Sequence, residues 1–459
     1  AVRNIIINAD IGNTNGTLDL IFNAAGNISG AGNLSASGTA TFNAGVGTGL
    51  YSGVISSGSL VKQGAGTLSL SGANTYSGST TMTGGTLSVA TLANGGLSSN
   101  LGASTNVASN LVFNGGTLAY TGSPVSTDRL FAITDNGGTI NASGTGALNF
   151  TNTGTIAYTG TSARSLTLAG SNTGDNTLRP VFANNTGLSS LTKTGAGTWL
   201  LTGNNTYTGN TFISAGTLRA TGTLSTSTGV VMTNAAIWDL QATQTIATLT
   251  MASDNSIISS AGSSSLTVSG AATIAYSIAT SGNQTYSGAV TLAANTTLST
   301  TSNGNVVFST TVNGANTLTV NTHGAGDTTI TGALGGSAAL TGLTINTDVL
   351  SSAALTVAGP ISITAGTIAV NENINTSAGT TNGDILLKSS GDISVAENKS
   401  ITTSGGDVVL WSNSDGQTTN GSIKLTNGAS IVTGSSTVAG GAIWLGGGST
   451  ATTWKGLSV

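Results

Sequence analysis

Residues 60–89 read LVKQGAGTLSLSGANTYSGSTTMTGGTLSV, and residues 191–220 read LTKTGAGTWLLTGNNTYTGNTFISAGTLRA. The two stretches align without a gap, Leu60 on Leu191, with 16 of 30 positions identical. Turns and alternating apolar residues recur, while reactive groups do not. Gly64 and Gly66 return as Gly195 and Gly197, Asn74 and Tyr76 as Asn205 and Tyr207, and Gly78 as Gly209. A repeat that keeps corners and inward-facing positions, and no chemistry, marks a solenoid.

Working outward, runs such as Thr67-Leu68-Ser69-Leu70, Thr317-Leu318-Thr319-Val320 and Ile361-Ser362-Ile363 alternate with period two between Gly- and Asn-rich corners. That pattern predicts many short strands and no helix. Later repeats set the coil length. Tyr286, Phe308 and Ile330 head similar pentapeptides at equal spacing, and Val357 heads a fourth, displaced beyond the same step as if by a short loop insertion. Gly383-Asp384-Ile385 returns one residue beyond that step as Gly406-Asp407-Val408, with Asp392 matched to Asp415 at the same offset. The expected fold is all-β, a right-handed parallel β-helix (β-solenoid) of roughly 20 coils of about 22 residues.

Composition agrees with this fold. Only 6% of the 459 residues are charged, 38% are apolar, and the chain has 68 glycines, 3 prolines and no cysteine. So much apolar side chain argues against disorder, and stability must come from packing and backbone ladders rather than disulfides. The net charge of −4 gives no basis for capturing nucleic acid. No apolar run is long enough for membrane insertion by this segment. Ala1-Val2-Arg3-Asn4 is not a signal peptide, so the chain reads as a piece of something longer.

The stretch GAGTLxLxGxNTYxGxT resembles the autotransporter-associated β-strand repeat of bacterial passenger domains, over residues 60–89 and 191–220. From about residue 276 the chain is similar to filamentous-haemagglutinin-type large exoproteins, on NQTYSGAVTL (283–292), NVVFSTTVNGANTLTVN (305–321) and GGDVVLW (405–411). Two segments follow: 1–275 with autotransporter-type repeats, and 276–459 continuing the β-helix with haemagglutinin-type repeats, expected to form one uninterrupted solenoid. The resemblance implies an extracellular protein on the outer surface of a Gram-negative bacterium. It implies a non-enzymatic stalk or fibre segment of an adhesin-like protein, acting in attachment, cohesion or biofilm. The alternative is a polysaccharide lyase or hydrolase built on a β-helix. Expected partners are further coils of the same protein or other copies of it, and surface glycans or other cells.

The chemistry-bearing residues are few. Asp384, Asp392, Asp407 and Asp415 are expected to cap their own turns, with a weak calcium site as the alternative and a catalytic pair as a third reading. No other cofactor is expected. His323, the only histidine, reads as a solvated corner residue. Lys62 and Lys193 read as edge-protecting surface charges. Tyr76 and Tyr207 read as corner-packing residues, with sugar stacking as the alternative. Among the tryptophans, Trp199, Trp238 and Trp454 fall in no common register, while Trp411 and Trp444 share a strand context and could lie on one exposed face.

Overall fold

A computed structural model describes residues 3–12, 17–56, 58–377, 383–416, 421–435 and 437–448. It is all-β: the described residues contain no α-helix and one 3-10 turn, Ala108–Asn110. The strands form a parallel β-solenoid of about 18 turns at a spacing of about 22 residues, close to the expected 20 coils. The chain divides into two compact units near residues 231–239.

The first unit has three faces. On the first, Ile5–Ile7, Ile28–Gly30, Thr48–Tyr51, Thr67–Leu70, Thr86–Val89, Thr117–Tyr120, Gly138–Ala142, Arg164–Ala169, Ser189–Lys193 and Thr211–Ile213 pair in sequence. The second carries Val125–Thr127, Leu148–Phe150, Asn176–Leu178, Thr198–Leu201 and Thr217–Ala220. The third is a seven-stranded sheet from Leu20–Ala24 to Ala157–Thr159. Because strand side chains alternate, each register position builds a column down the interior. One column runs Leu68, Leu87, Leu118, Ile140 and Leu168, all buried. Each buried leucine of this kind contributes about 1.5–3 kcal/mol over an exposed one.

The two repeat copies do not occupy the same faces. In the first copy Ser59–Gln63 lies on the third face, Thr67–Leu70 on the first, and Thr75 donates its N–H to Ile55 on the second. In the second copy Ser189–Lys193 lies on the first face and Thr198–Leu201 on the second, and Thr206 donates to Phe182 on the third. The second copy is therefore turned by one face. Coil length causes this, because it is not constant. The step from Thr80 to its partner Leu111 is half as long again as the step from Leu60 to its partner Thr80. The excess forms a loop tied down by the buried Arg129, whose guanidinium donates to Ala93 O (3.0 Å), Gly102 O (2.9 Å) and Ser104 O (3.0 Å).

In the second unit Gln244–Ile246, Leu266–Val268, Gln284–Tyr286, Val306–Phe308 and Thr328–Ile330 stack on one face. Tyr286, Phe308 and Ile330 occupy one register position in consecutive coils, as their equal spacing predicts. The fourth expected member does not. Ser352 stands over Ile330, keeping the same step, while Val357 bridges Leu340 on a different face. Strands such as Ala272–Thr280, Val290–Thr300 and Gly342–Ser352 run on around a corner and serve two faces each. A motif match in sequence therefore need not mean the same face.

Candidate functional site

The repeat residues build corners. Gly64 and Gly195 have φ of +72° and +70°, a left-handed backbone that favours glycine. Gly66 and Gly197 complete the same turns, where an added Cβ would lie 3.0 Å from Gly47 O and 2.4 Å from Asn172 O. Gly78 and Gly209 need closeness instead, since a Cβ there would lie 1.9 Å from Gly58 O and 2.4 Å from Ser189 O. The amides of Asn74 and Asn205 are buried and accept the N–H of Ile55 (2.8 Å) and Phe182 (2.9 Å) in the preceding coil. Tyr76 and Tyr207 are buried, with hydroxyls 2.7 Å from Thr80 Oγ1 and Thr211 Oγ1, and burial raises both phenols well above their ordinary value. Both tyrosines pack the corner, and neither is available for sugar stacking.

Lys62 and Lys193 correct the sequence reading. Both are fully buried. Lys62 stands in an interior column between Phe42 and Met82, and Lys193 between Leu168 and Ile213. Each stem packs in the column while the ammonium turns into the next corner. Lys62 Nζ donates to Gln63 O (2.6 Å), Gly64 O (2.9 Å) and Gly84 O (3.3 Å). Lys193 Nζ donates to Thr194 O (2.9 Å), Gly195 O (2.8 Å) and Ala215 O (2.9 Å). Three donors meet three carbonyls that the turn leaves without strand partners. Burial pulls both amines down to about 8, so they carry their proton at neutral pH. A charged residue in a period-two strand looks exposed in sequence. Only the carbonyl cage explains why it points inward.

Asp384, Asp392 and Asp407 tie one coil to the next rather than capping their own turns. Asp384 Oδ1 accepts the N–H of Asp407 (2.9 Å), and Asp407 Oδ1 accepts that of Ala442 (2.6 Å). Asn283, Asn305 and Asp327 form the same chain on another corner, each accepting an N–H from the next coil. Asp392 does not stack on Asp415. The pairing of Ile393 with Ile423 puts Ser422 opposite Asp392, whose Oδ1 takes the Ser422 N–H (2.7 Å) and hydroxyl (2.9 Å). Those two bonds, and Lys424 nearby, hold Asp392 below the usual carboxylate range. Asp415 lies in a turn outside that register. Among the described residues no three His, Cys, Asp or Glu side chains come together as a metal-binding group. His323 is exposed at its corner.

Trp199 and Trp238 are buried in the core. Trp411 and Trp444 lie on the outward side of adjacent strands, since Trp444 pairs with Val409. Lys388 Nζ sits 4.6 Å from the centre of the Trp411 ring, and Trp411 Nε1 donates to Gly448 O (2.8 Å). Trp454 lies outside the described residues.

One concavity went unread in the sequence. A cleft of about 500 Å³ in the second unit is lined by Ser256, Tyr276, Ser277, Asn295, Thr296, Thr297 and Thr317. Tyr276 has φ +93° and marks a register shift within Ala272–Thr280. The signal was a break in alternation, because Ile274 and Ala275 are consecutive and both buried, which turns Tyr276 outward.

Comparison with known proteins agrees with the geometry of the corners. The family model of the passenger-associated-transport repeat matches residues 60–89 and 191–220, so the chain carries the repeat of autotransporter passengers. Over 135 residues, 29% of the chain, it is 47% identical to "Adhesin BmaC autotransporter" of Brucella suis biovar 1 (strain 1330). That match spans 4% of the relative's length. No solved structure matches.

Proposed function

We propose that the chain is a non-enzymatic segment of a large secreted adhesin-like protein, displayed on the outer surface of a Gram-negative bacterium and acting in attachment and cell–cell cohesion. The observation that carries this reading is the 47% identity to a named autotransporter adhesin, on a chain whose two passenger-type repeats fold into solenoid corners. The engagement of its acidic groups supports the same view. Asp384, Asp392 and Asp407 are spent on backbone N–H groups of the next coil, which leaves them as fixed acceptors rather than a poised acid and base. In this reading the body is a scaffold. Its stacked Ser, Thr and Asn side chains offer many weak contacts in place of one deep pocket, and such contacts gain strength by multivalency. Its partners are further coils of the same protein, other copies, and the glycans or surfaces of other cells.

The test is display of residues 1–459 on the surface of a non-adherent bacterium through a carrier of known export. Cells bearing the chain should settle together, or adhere to host cells and abiotic surfaces, several-fold more than cells bearing the carrier alone. Equal adhesion, or turnover of polysaccharides by the purified chain, would sink the reading.

A further inference from the structure

We propose that the cleft at Tyr276 binds a neutral saccharide, with one sugar face stacked on the tyrosine ring. The inference deepens the attachment reading and rests on it for its cellular setting. It begins with a contrast among the seven tyrosines. In six of them the hydroxyl is tied to the protein: Tyr51 to Gly32 O, Tyr76 to Thr80, Tyr120 to Ser123 O, Tyr158 to the Ala183 N–H, Tyr207 to Thr211 and Tyr286 to Gln284. Tyr276 is 52% exposed, and its hydroxyl has no protein partner among the described residues.

Its backbone is also held where side chains rarely go. A bulky residue at φ +93° is an outlier that the surrounding structure must enforce, and such outliers concentrate at ligand sites. Here the enforcement is visible. Ile274 pairs with Leu292 and Tyr276 with Thr296, so the coil above carries two extra residues at this corner. The extra length opens the cleft beside the ring and places Asn295 on its wall.

The lining decides the class of ligand. No lining residue is ionisable apart from the phenol itself. The hydroxyls of Ser256, Ser277 and Thr297 make no hydrogen bond to described protein atoms. These three stand at one register position in successive coils, at strand spacing of about 4.8 Å. Asn295 uses its Oδ1 on the Thr317 N–H (3.0 Å) and leaves its amide N–H groups free. Hydroxyls can both donate and accept, which suits the ring hydroxyls of a sugar. An aromatic face suits the apolar C–H face of the same ring. A cleft of similar size in the first unit lacks this pairing. It is lined by the charged Asp175 and Arg179, and its aromatic, Phe150, is buried.

The test uses the full chain with a panel of neutral oligosaccharides (maltoheptaose, cellohexaose, mannohexaose), with heparin and oligogalacturonate as anionic probes. Saturation-transfer NMR reports contact with the sugar C–H protons. At least one neutral probe should bind, about tenfold more weakly to Tyr276→Ala and within about threefold to Tyr276→Phe, since the ring supplies the stacking surface. Thr297→Lys, which fills the cleft without altering the bulge, should abolish binding and decides the matter if Tyr276→Ala fails to fold. Binding to none of the neutral probes, binding only to anionic probes, or unchanged binding by Tyr276→Ala would each overturn the inference. A chain that promotes attachment yet binds no sugar overturns this inference alone. Loss of attachment with intact sugar binding overturns only the broader reading.

Discussion

Tyr286 and Phe308 stand at the same register position of adjacent coils, with ring centroids 5.3 Å apart and planes 16° from parallel. Ile330 continues the column one coil further. In such a body each coil packs only on its neighbours, so stability is a sum of local interfaces.

Phe308→Ala should therefore act locally. The cavity should cost about 3–5 kcal/mol. Hydrogen exchange should speed up in Gln284–Tyr286 and Thr328–Ile330 and stay unchanged in Leu111–Phe113. Uniform acceleration along the whole chain would contradict a nearest-neighbour solenoid.

Lys62→Met and Lys193→Met keep the stem but leave three corner carbonyls without their donor. Each should lower stability by about 1–3 kcal/mol, the cost of an unsatisfied buried group. A thermal melt that is unchanged in both variants would show the ammonium cage to be dispensable.

Two opposed groups govern alkaline behaviour. The buried lysines have folded values near 8, below the ordinary lysine value of about 10.5, so the unfolded chain holds more protons between those limits and stability should rise there. The buried tyrosines have the reverse sign. Burial raises Tyr51 and Tyr158 to about 12 and Tyr76, Tyr207 and Tyr286 further, so their contribution is complete below about 10 and is lost above it. Denaturation midpoints should hold or climb to about pH 10 and fall steeply beyond. Phenolate absorbance from these five should appear together with unfolding.

Calcium should change nothing. Asp384→Asn keeps an oxygen for the Asp407 N–H and should melt like the parent, while Asp384→Ala should melt lower. Neither calcium nor a chelator should shift the melting temperature of the intact chain. A calcium-dependent rise that disappears in Asp384→Ala would restore the metal site.

Tyr276→Gly removes a strained side chain from a left-handed backbone. It should stabilise the second unit by about 1 kcal/mol, measured as a higher melting temperature, while removing the saccharide contact. A fall in stability would mean that the ring packs on the surface instead of presenting a face to a ligand.

Much of this was legible in the chain itself. Alternation such as Thr67-Leu68-Ser69-Leu70 places strands, because a pleated strand exposes every second side chain to one environment. Gly64, Asn74 and Tyr76 place corners, because left-handed turns and buried amides are local demands. The steps from Tyr286 to Phe308 and on to Ile330 give the coil length, and an interior column requires that step. Other features depend on how many residues each coil spends before it returns. The loop tied down by Arg129 lengthens one coil, and the second repeat lands one face further round. The turn after Trp411 lets Ser422, not Asp415, meet Asp392. Two extra residues above Tyr276 open a cleft beside its ring. Lys62 and Lys193 point inward because carbonyls from two successive coils converge on one spot. Periodicity and turn chemistry are properties of neighbours in the chain and can be read from it. Register, face and the direction of a charged side chain are set by pairing between residues a whole coil apart, and only the assembled coils decide them.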